Sequence, residues 1–167
     1  GISGLDLKDV AIASEAGYRV KLLGRALRLA DGRQAAYVAP HLVSGDCPIA
    51  PVDDVFNAIM IRGNAVGDVM FYGRGAGDLP TASAVMGDVI DALQHRTRRR
   101  ELGWSESADL AGLKELVMPW YLRGDFAAPV DCRALSGGAV MTKPMTAGEA
   151  KALAEKLGAM VILPVLQ

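Results

Sequence analysis

Cysteine and histidine are scarce in this chain, two of each in 167 residues, and that scarcity removes whole classes of chemistry. Cys47 and Cys132 are too few and too far apart to build a disulfide framework, and no CxxC or His/Cys cluster supplies metal-ligand spacing. His41 and His95 leave little material for a histidine-based catalytic constellation, and His41, after Pro40, reads as a surface residue of a loop. Aromatic side chains are also sparse, at 5%. The strongly basic run Gln94-His95-Arg96-Thr97-Arg98-Arg99-Arg100 therefore has no interleaved rings to stack on bases. With a net charge of −1 on the chain it reads as a solvated linker rather than a nucleic-acid patch. No apolar run reaches the roughly 18 residues of a spanning helix, and no basic-then-apolar leader opens the chain. A cytoplasmic protein with neither a nucleic-acid nor a membrane partner is the expectation.

Apolar residues and glycine are what the chain has in quantity. A hydrophobic fraction of 51% is enough to bury a sizeable core in one ordinary domain or two small ones. The most informative glycines lie in Gly73-Arg74-Gly75-Ala76-Gly77-Asp78-Leu79-Pro80-Thr81-Ala82-Ser83-Ala84-Val85, a turn that leaves a strand-like run and leads into a helix. Three glycines in five residues remove the Cβ atoms that would keep a ligand off the main chain, and they permit positive φ. Pro80 sets φ where the helix begins, and Thr81 or Ser83 is placed to accept a hydrogen bond from a free amide of the first turn. The positive end of the helix dipole suits a carboxylate or phosphate at the bend. The spacing is not GxGxxG, and no acidic residue about 20 positions on waits for a ribose, so a Rossmann fingerprint is rejected. Spacing alone also fits a purely structural turn that packs a strand close to a helix.

The rest of the chain alternates between elements with clear punctuation. Asp6 caps a helix from Leu7 to Ala16, with Asp9 in its first turn and Gly17 as a left-handed stop. Tyr18 to Leu29 reads as a strand, Asp31-Gly32 as a hairpin turn and Gln34 to Val38 as the return, followed by a structured loop over Ala39 to Pro51. Val55 to Ile61 and Ala65 to Tyr72 form a hairpin that delivers Gly73. Beyond the turn, Val85, Met86, Val89, Ile90 and Leu93 recur at helical spacing and read as core. Further on, Leu116 to Asp125 and Gly138 to Lys143 read as strands. Thr146 to Leu157 reads as a helix capped by Thr146 with Glu149 and ended by Gly158, and Ala159 to Val165 as a last strand.

Several separate motifs resemble, in order, the later part of the catalytic domain of homoserine dehydrogenase. They are Gly1-Ile2-Ser3, Asp9, Ala13, Gly17-Tyr18 and Lys21-Leu22-Leu23, then Pro40, Leu42, Pro48-Ile49-Ala50 and Val52, then Asn57-Ala58, Gly67-Asp68, Met70-Phe71-Tyr72, Gly73 to Gly77, Leu79 to Val85, and Asp88. The resemblance runs from Gly1 to about Leu93. The C-terminal β, β, α, β pattern is similar to a shortened ACT domain, with Ala127 to Leu135 too short for the helix and strand that a full module places there.

The resemblance implies an α+β fold with a mixed, largely antiparallel sheet covered by helices, followed by a small truncated ACT-like module. It divides the chain into a partial catalytic domain (1–95), a linker (96–112) and the ACT-like module (113–167). It implies an oxidoreductase that interconverts L-homoserine and L-aspartate 4-semialdehyde by hydride transfer with NAD or NADP, in threonine, methionine and isoleucine biosynthesis. Gly77 would meet the nicotinamide end of the cofactor, with Gly75 and Ala76 shaping the approach and Thr81 at the helix mouth. No catalytic residue is expected within this chain, because the family's proton-handling lysine and its acidic neighbours lie upstream of the position matching Gly1. Lys21 matches a sheet lysine instead. The chain, which has no initiator methionine, is thus expected to be an inactive piece of a longer protein, paired into a homodimer or higher homo-oligomer through catalytic-domain sheets. The competing expectation is a non-catalytic amino-acid-sensing or oligomerisation module of ACT type.

Overall fold

The computed structural model describes residues 2, 4–96, 103–104 and 107–167. The chain forms two compact units, one from residues 1–50 and 108–167 and the other from 51–107. Three helices and ten strands are described, and the fold is mixed α+β with a largely antiparallel sheet.

The first unit opens with α1 (Leu7–Glu15). Asp6 accepts a hydrogen bond from the Lys8 amide, and Asp9 accepts one from the Asp6 amide, closing a reciprocal cap. Strands β1 (Tyr18–Arg28) and β2 (Gln34–Ser44) pair antiparallel over their whole length, from Tyr18 opposite Ser44 to Arg28 opposite Gln34. The return strand therefore runs on through Ala39 to Ser44, which the sequence assigned to a loop. Its other neighbour joins β2 only at Leu42 and Val43, so Pro40 sits at an edge position where a missing donor is tolerated.

The second unit begins after Ala50 and carries β3 (Phe56–Gly63) and β4 (Gly67–Arg74), an antiparallel hairpin in its own sheet, followed by α2 (Asp78–Gln94). No residue of α2 is buried. Val85, Met86, Val89, Ile90 and Leu93, expected as core, are 45–55% exposed. A single hairpin and one helix have too few layers to enclose that stripe. Thr97 to Arg100, the cationic end of the run read as linker, lie outside the described residues, as do Gly1 and Ser3.

The chain then returns to the first unit. Strand β5 (Val117–Met118) precedes β6 (Trp120–Arg123), β7 (Arg133–Ala134), β8 (Ala139–Met141), β9 (Met145–Thr146), α3 (Ala147–Leu157) and β10 (Val161–Leu166). The main sheet has the order β1-β2-β10-β6-β8-β7, with β2 and β10 parallel and the other pairs antiparallel. The C-terminal strands extend the sheet that β1 and β2 begin. The segment from Gly124 to Cys132 holds no helix, and the two-residue β7 follows it directly.

Each face of this sheet has its own cover. Ile12 and Ala13 of α1 pack with Leu42, Tyr121, Met141, Leu163 and Val165. On the other face Leu122 and Val140 lie with Ala154 of α3, and Ala150 packs with Trp120 and Met118. Thr146 and Glu149 form the expected capping box, and Gly158 ends α3 at φ 66°.

Candidate functional site

The glycine bend is built by the register of the β3–β4 hairpin. Asn57 stands opposite Gly73 and Phe56 opposite Arg74, the last residue of β4. The end of the hairpin is braced by rings: Phe56 and Tyr72 stack at 4.9 Å and 9°, and the Arg74 guanidinium lies 5.1 Å over the Phe56 ring. At the opposite end Arg62 grips Asp68 through two hydrogen bonds of 2.7 and 2.9 Å. From this frame the chain leaves as Gly75-Ala76-Gly77, with the Gly75 amide donating to the Val55 carbonyl at 3.2 Å.

The glycines of the bend are not equivalent. Around Gly73 a Cβ would meet nothing within 4 Å. A Cβ at Gly75 would fall on the Asn57 side chain, 1.5 Å from Nδ2. Gly77 has φ 113°, a conformation that side-chain-bearing residues rarely adopt, and space around it except for the Pro80 ring at 3.5 Å. Gly77 is the N-cap of α2 and provides no side-chain acceptor for the first amides of the helix.

Thr81 departs from its expected capping role. Its hydroxyl donates to the Gly77 carbonyl at 2.8 Å, and its amide donates to the same oxygen at 3.1 Å. The helix begins at Asp78, so Thr81 falls one turn inside and reaches back to a carbonyl rather than forward to an amide. The result is a locked Gly77 peptide beside helix-start amides that have no side-chain cap. Residues 73–79 are all exposed, so the main chain of the bend is open. Asp78 places a carboxylate in the same first turn, which offsets the positive end of the dipole.

Two hollows in the first unit lie elsewhere. One of about 470 Å³ is lined by Tyr18, Cys132, Arg133, Lys143 and their neighbours, and one of about 270 Å³ lies between Ala39-Pro40 and Met160 to Pro164. Neither includes a residue of the bend. Among the described residues no cluster of His, Cys, Asp or Glu is suited to a metal ion.

Two residues have surroundings the sequence did not disclose. His41, expected on the surface, is fully buried in β2, with Nδ1 2.8 Å from the Ala39 carbonyl and Nε2 3.2 Å from the Tyr37 hydroxyl. Desolvation pushes its pKa down to about 4, helped by the nearby Arg25 and opposed by the Ala39 carbonyl, so the ring is neutral and structural. Asp9 is likewise fully buried, gripped by Arg123 through Nε and Nη2 and by the Tyr121 hydroxyl at 2.7 Å. Burial alone would raise its pKa, but the bonds from Arg123, Tyr121 and the Asp6 amide together hold it below the ordinary carboxylate value. Lys21 stands on β1 opposite His41, on a sheet strand as expected.

The family model described as homoserine dehydrogenase matches residues 1–90. The homoserine dehydrogenase of Neisseria gonorrhoeae is 46% identical over 91 residues, which cover 54% of this chain and 21% of that protein. The NAD(+)-dependent homoserine dehydrogenase of Pseudomonas canavaninivorans is 41% identical over 101 residues, covering 60% of this chain and 29% of that one. The crystal structure of a homoserine dehydrogenase from Thiobacillus denitrificans superposes with a TM-score of 0.81 at 26% identity, over 99% of this chain and 46% of that one. The chain therefore spans less than a third of these curated relatives and about half of the solved structure.

Proposed function

We propose, from the premise that the chain belongs to the homoserine dehydrogenase family of oxidoreductases, that it supplies the cofactor-bearing bend of an enzyme interconverting L-homoserine and L-aspartate 4-semialdehyde. The observation that carries the reading is the open, uncapped main chain of Gly75, Ala76 and Gly77 at the start of α2. A flat ring can approach a peptide plane closely only where no Cβ stands in the way, and Gly77 provides that while Thr81 keeps its carbonyl turned inward. Asp78 at the helix mouth disfavours a phosphate and leaves the nicotinamide end of a dinucleotide, cationic when oxidised and neutral when reduced, as the better fit. The nicotinamide group, when bound, supplies or accepts the hydride. This chain's share is to hold that ring in place. The general acid or base comes from other parts of a longer polypeptide, so the isolated chain is inactive. One relative is named NAD(+)-dependent, and a bend that touches only the nicotinamide end suits NAD and NADP alike. The enzyme's place is then in threonine, methionine and isoleucine biosynthesis, in the cytoplasm.

A second reading rests on the order β10-β6-β8-β7, in which the C-terminal strands, numbered along their own segment, stand 4-1-3-2. That order suits a shortened ACT-like module from 113 to 167 that has lost its first helix. Such a module would sense an amino acid or build an oligomer without sharing in the chemistry.

The substitution Gly77→Val in the full-length protein separates the two. The expected result is a loss of about a hundredfold or more in kcat/KM for the nicotinamide cofactor, followed by absorbance of the reduced form, with any amino-acid inhibition still measurable. A variant with wild-type hydride transfer but altered inhibition or assembly would overturn the first reading in favour of the second.

A further inference from the structure

We propose that Asn57 is a positioning residue for this bend: its side chain fills the space that a Cβ at Gly75 would need and thereby sets where the Gly75–Gly77 main chain lies. The inference rests on the bend being the bearing surface for the cofactor. A Cβ built at Gly75 would lie 1.5 Å from Asn57 Nδ2, 2.7 Å from Cγ and 3.3 Å from Cβ. The carboxamide can rotate away, but the Asn57 Cβ is fixed to β3 and would still be tighter than an ordinary contact. The other two glycines of the bend are not filled in this way, since Gly73 faces open space and Gly77 meets only the Pro80 ring.

The hairpin register explains why Asn57 reaches Gly75. Its directly opposed residue is Gly73, which offers no side chain, so the amide leans along the diagonal to the next position on the same face. The Gly75 amide is meanwhile tied to the Val55 carbonyl. Two attachments from one three-residue stretch, a hydrogen bond and a packed carboxamide, thus fix the first residue of the bend. Without the carboxamide, Gly75 has room to move towards β3. A bound ring needs its supporting peptide held to within about half an ångström.

The test is steady-state kinetics and thermal melting of N57A, N57D, G75A and the double variant N57A/G75A in the full-length protein. N57A is expected to raise the KM for the nicotinamide cofactor about tenfold with kcat less affected, because ring placement rather than chemistry is disturbed. The isosteric N57D recovers most of that loss. G75A loses about a hundredfold in kcat/KM, and adding N57A restores about tenfold of it, since the new methyl group takes the vacated space. Additive losses in the double variant, an unchanged KM in N57A, or N57D as damaging as N57A would each overturn the proposal. If G77V also leaves the cofactor KM unchanged, the reading of the bend as a cofactor surface has failed. The Asn57–Gly75 coupling is then read from the melting temperatures, where additive shifts overturn it.

Discussion

His41 is an imidazole with no exposed surface, held between the Ala39 carbonyl and the Tyr37 hydroxyl and stacked on the Tyr37 ring at 5.7 Å. The Ala39 carbonyl only partly repays the desolvation of a protonated ring, and the nearby Arg25, which donates to the same Tyr37 hydroxyl at 3.2 Å, opposes the charge further. In the unfolded chain His41 takes up its proton near the ordinary value of 6.5, whereas in the fold it does so only near 4. Between those values the unfolded state binds more protons, so stability is full above pH 6.5 and falls as pH drops towards 4, by up to about 3 kcal/mol. Asp9, Glu115 and Glu149 are held below their ordinary carboxylate values, so their contributions are lost only lower in the range. The fall between pH 6.5 and 5 therefore belongs to His41. Urea unfolding followed by the fluorescence of the buried Trp120 should show it, and His41→Gln should flatten the profile in that window. An equal slope in the variant would mean that the buried neutral ring is not its source.

Beside the apolar packing of Ile12 and Ala13, helix α1 is tied to the main sheet by one carboxylate with two duties. Asp9 closes the capping box by accepting from the Asp6 amide at 3.0 Å, and its oxygens also receive Arg123 and Tyr121 of β6, more than a hundred residues away. Replacing it with Asn leaves the Arg123 guanidinium, only 9% exposed, without a counter-charge, and the expected cost is about 3–5 kcal/mol. The double substitution Asp9→Leu/Arg123→Met should recover a large part, as a midpoint shift in urea. A loss in the double variant equal to that of Asp9→Asn would show that the pair is not the tie. The helix itself was readable from Asp6 and Asp9, as α3 was from Thr146 and Glu149, because caps are local chemistry. What those residues also touch was not, since contact between 9 and 123 depends on a tertiary fold that no local pattern encodes. The same limit hid the length of β2, where Pro40 suggested a loop. It also hid the parallel pairing of Leu42 with Val165, which joins opposite ends of the chain in one sheet. The glycine bend was legible as a feature. Its unequal glycines, the reversed role of Thr81 and the lean of Asn57 onto Gly75 follow from hairpin register, and were not.

At the scale of the whole molecule, the hairpin carries apolar side chains on both of its faces. Phe56, Ala58 and Met60 alternate with Asn57, Ile59 and Ile61, and across the ladder Tyr72 and Met70 alternate with Phe71 and Val69. A strand that is apolar on both faces belongs in a sheet covered on both sides. Here Ile59 and Phe71, directly opposed, are 64% and 61% exposed, and Ile61 beside them is 50% exposed. We infer that the homo-oligomer expected from the sequence, which is so far an expectation alone, would use this face, since an isologous contact covers one patch with its own copy. Sedimentation velocity at micromolar concentrations should show a dimer or larger species. Ile59→Asp/Phe71→Asp should convert it to a monomer, because two buried carboxylates per copy would meet their symmetry mates with no cation to pair with. A wild-type chain that sediments as a monomer across the same range would refute the pairing. The stripe of α2 would then have to find its cover, along with the hairpin face, in other segments of a longer polypeptide.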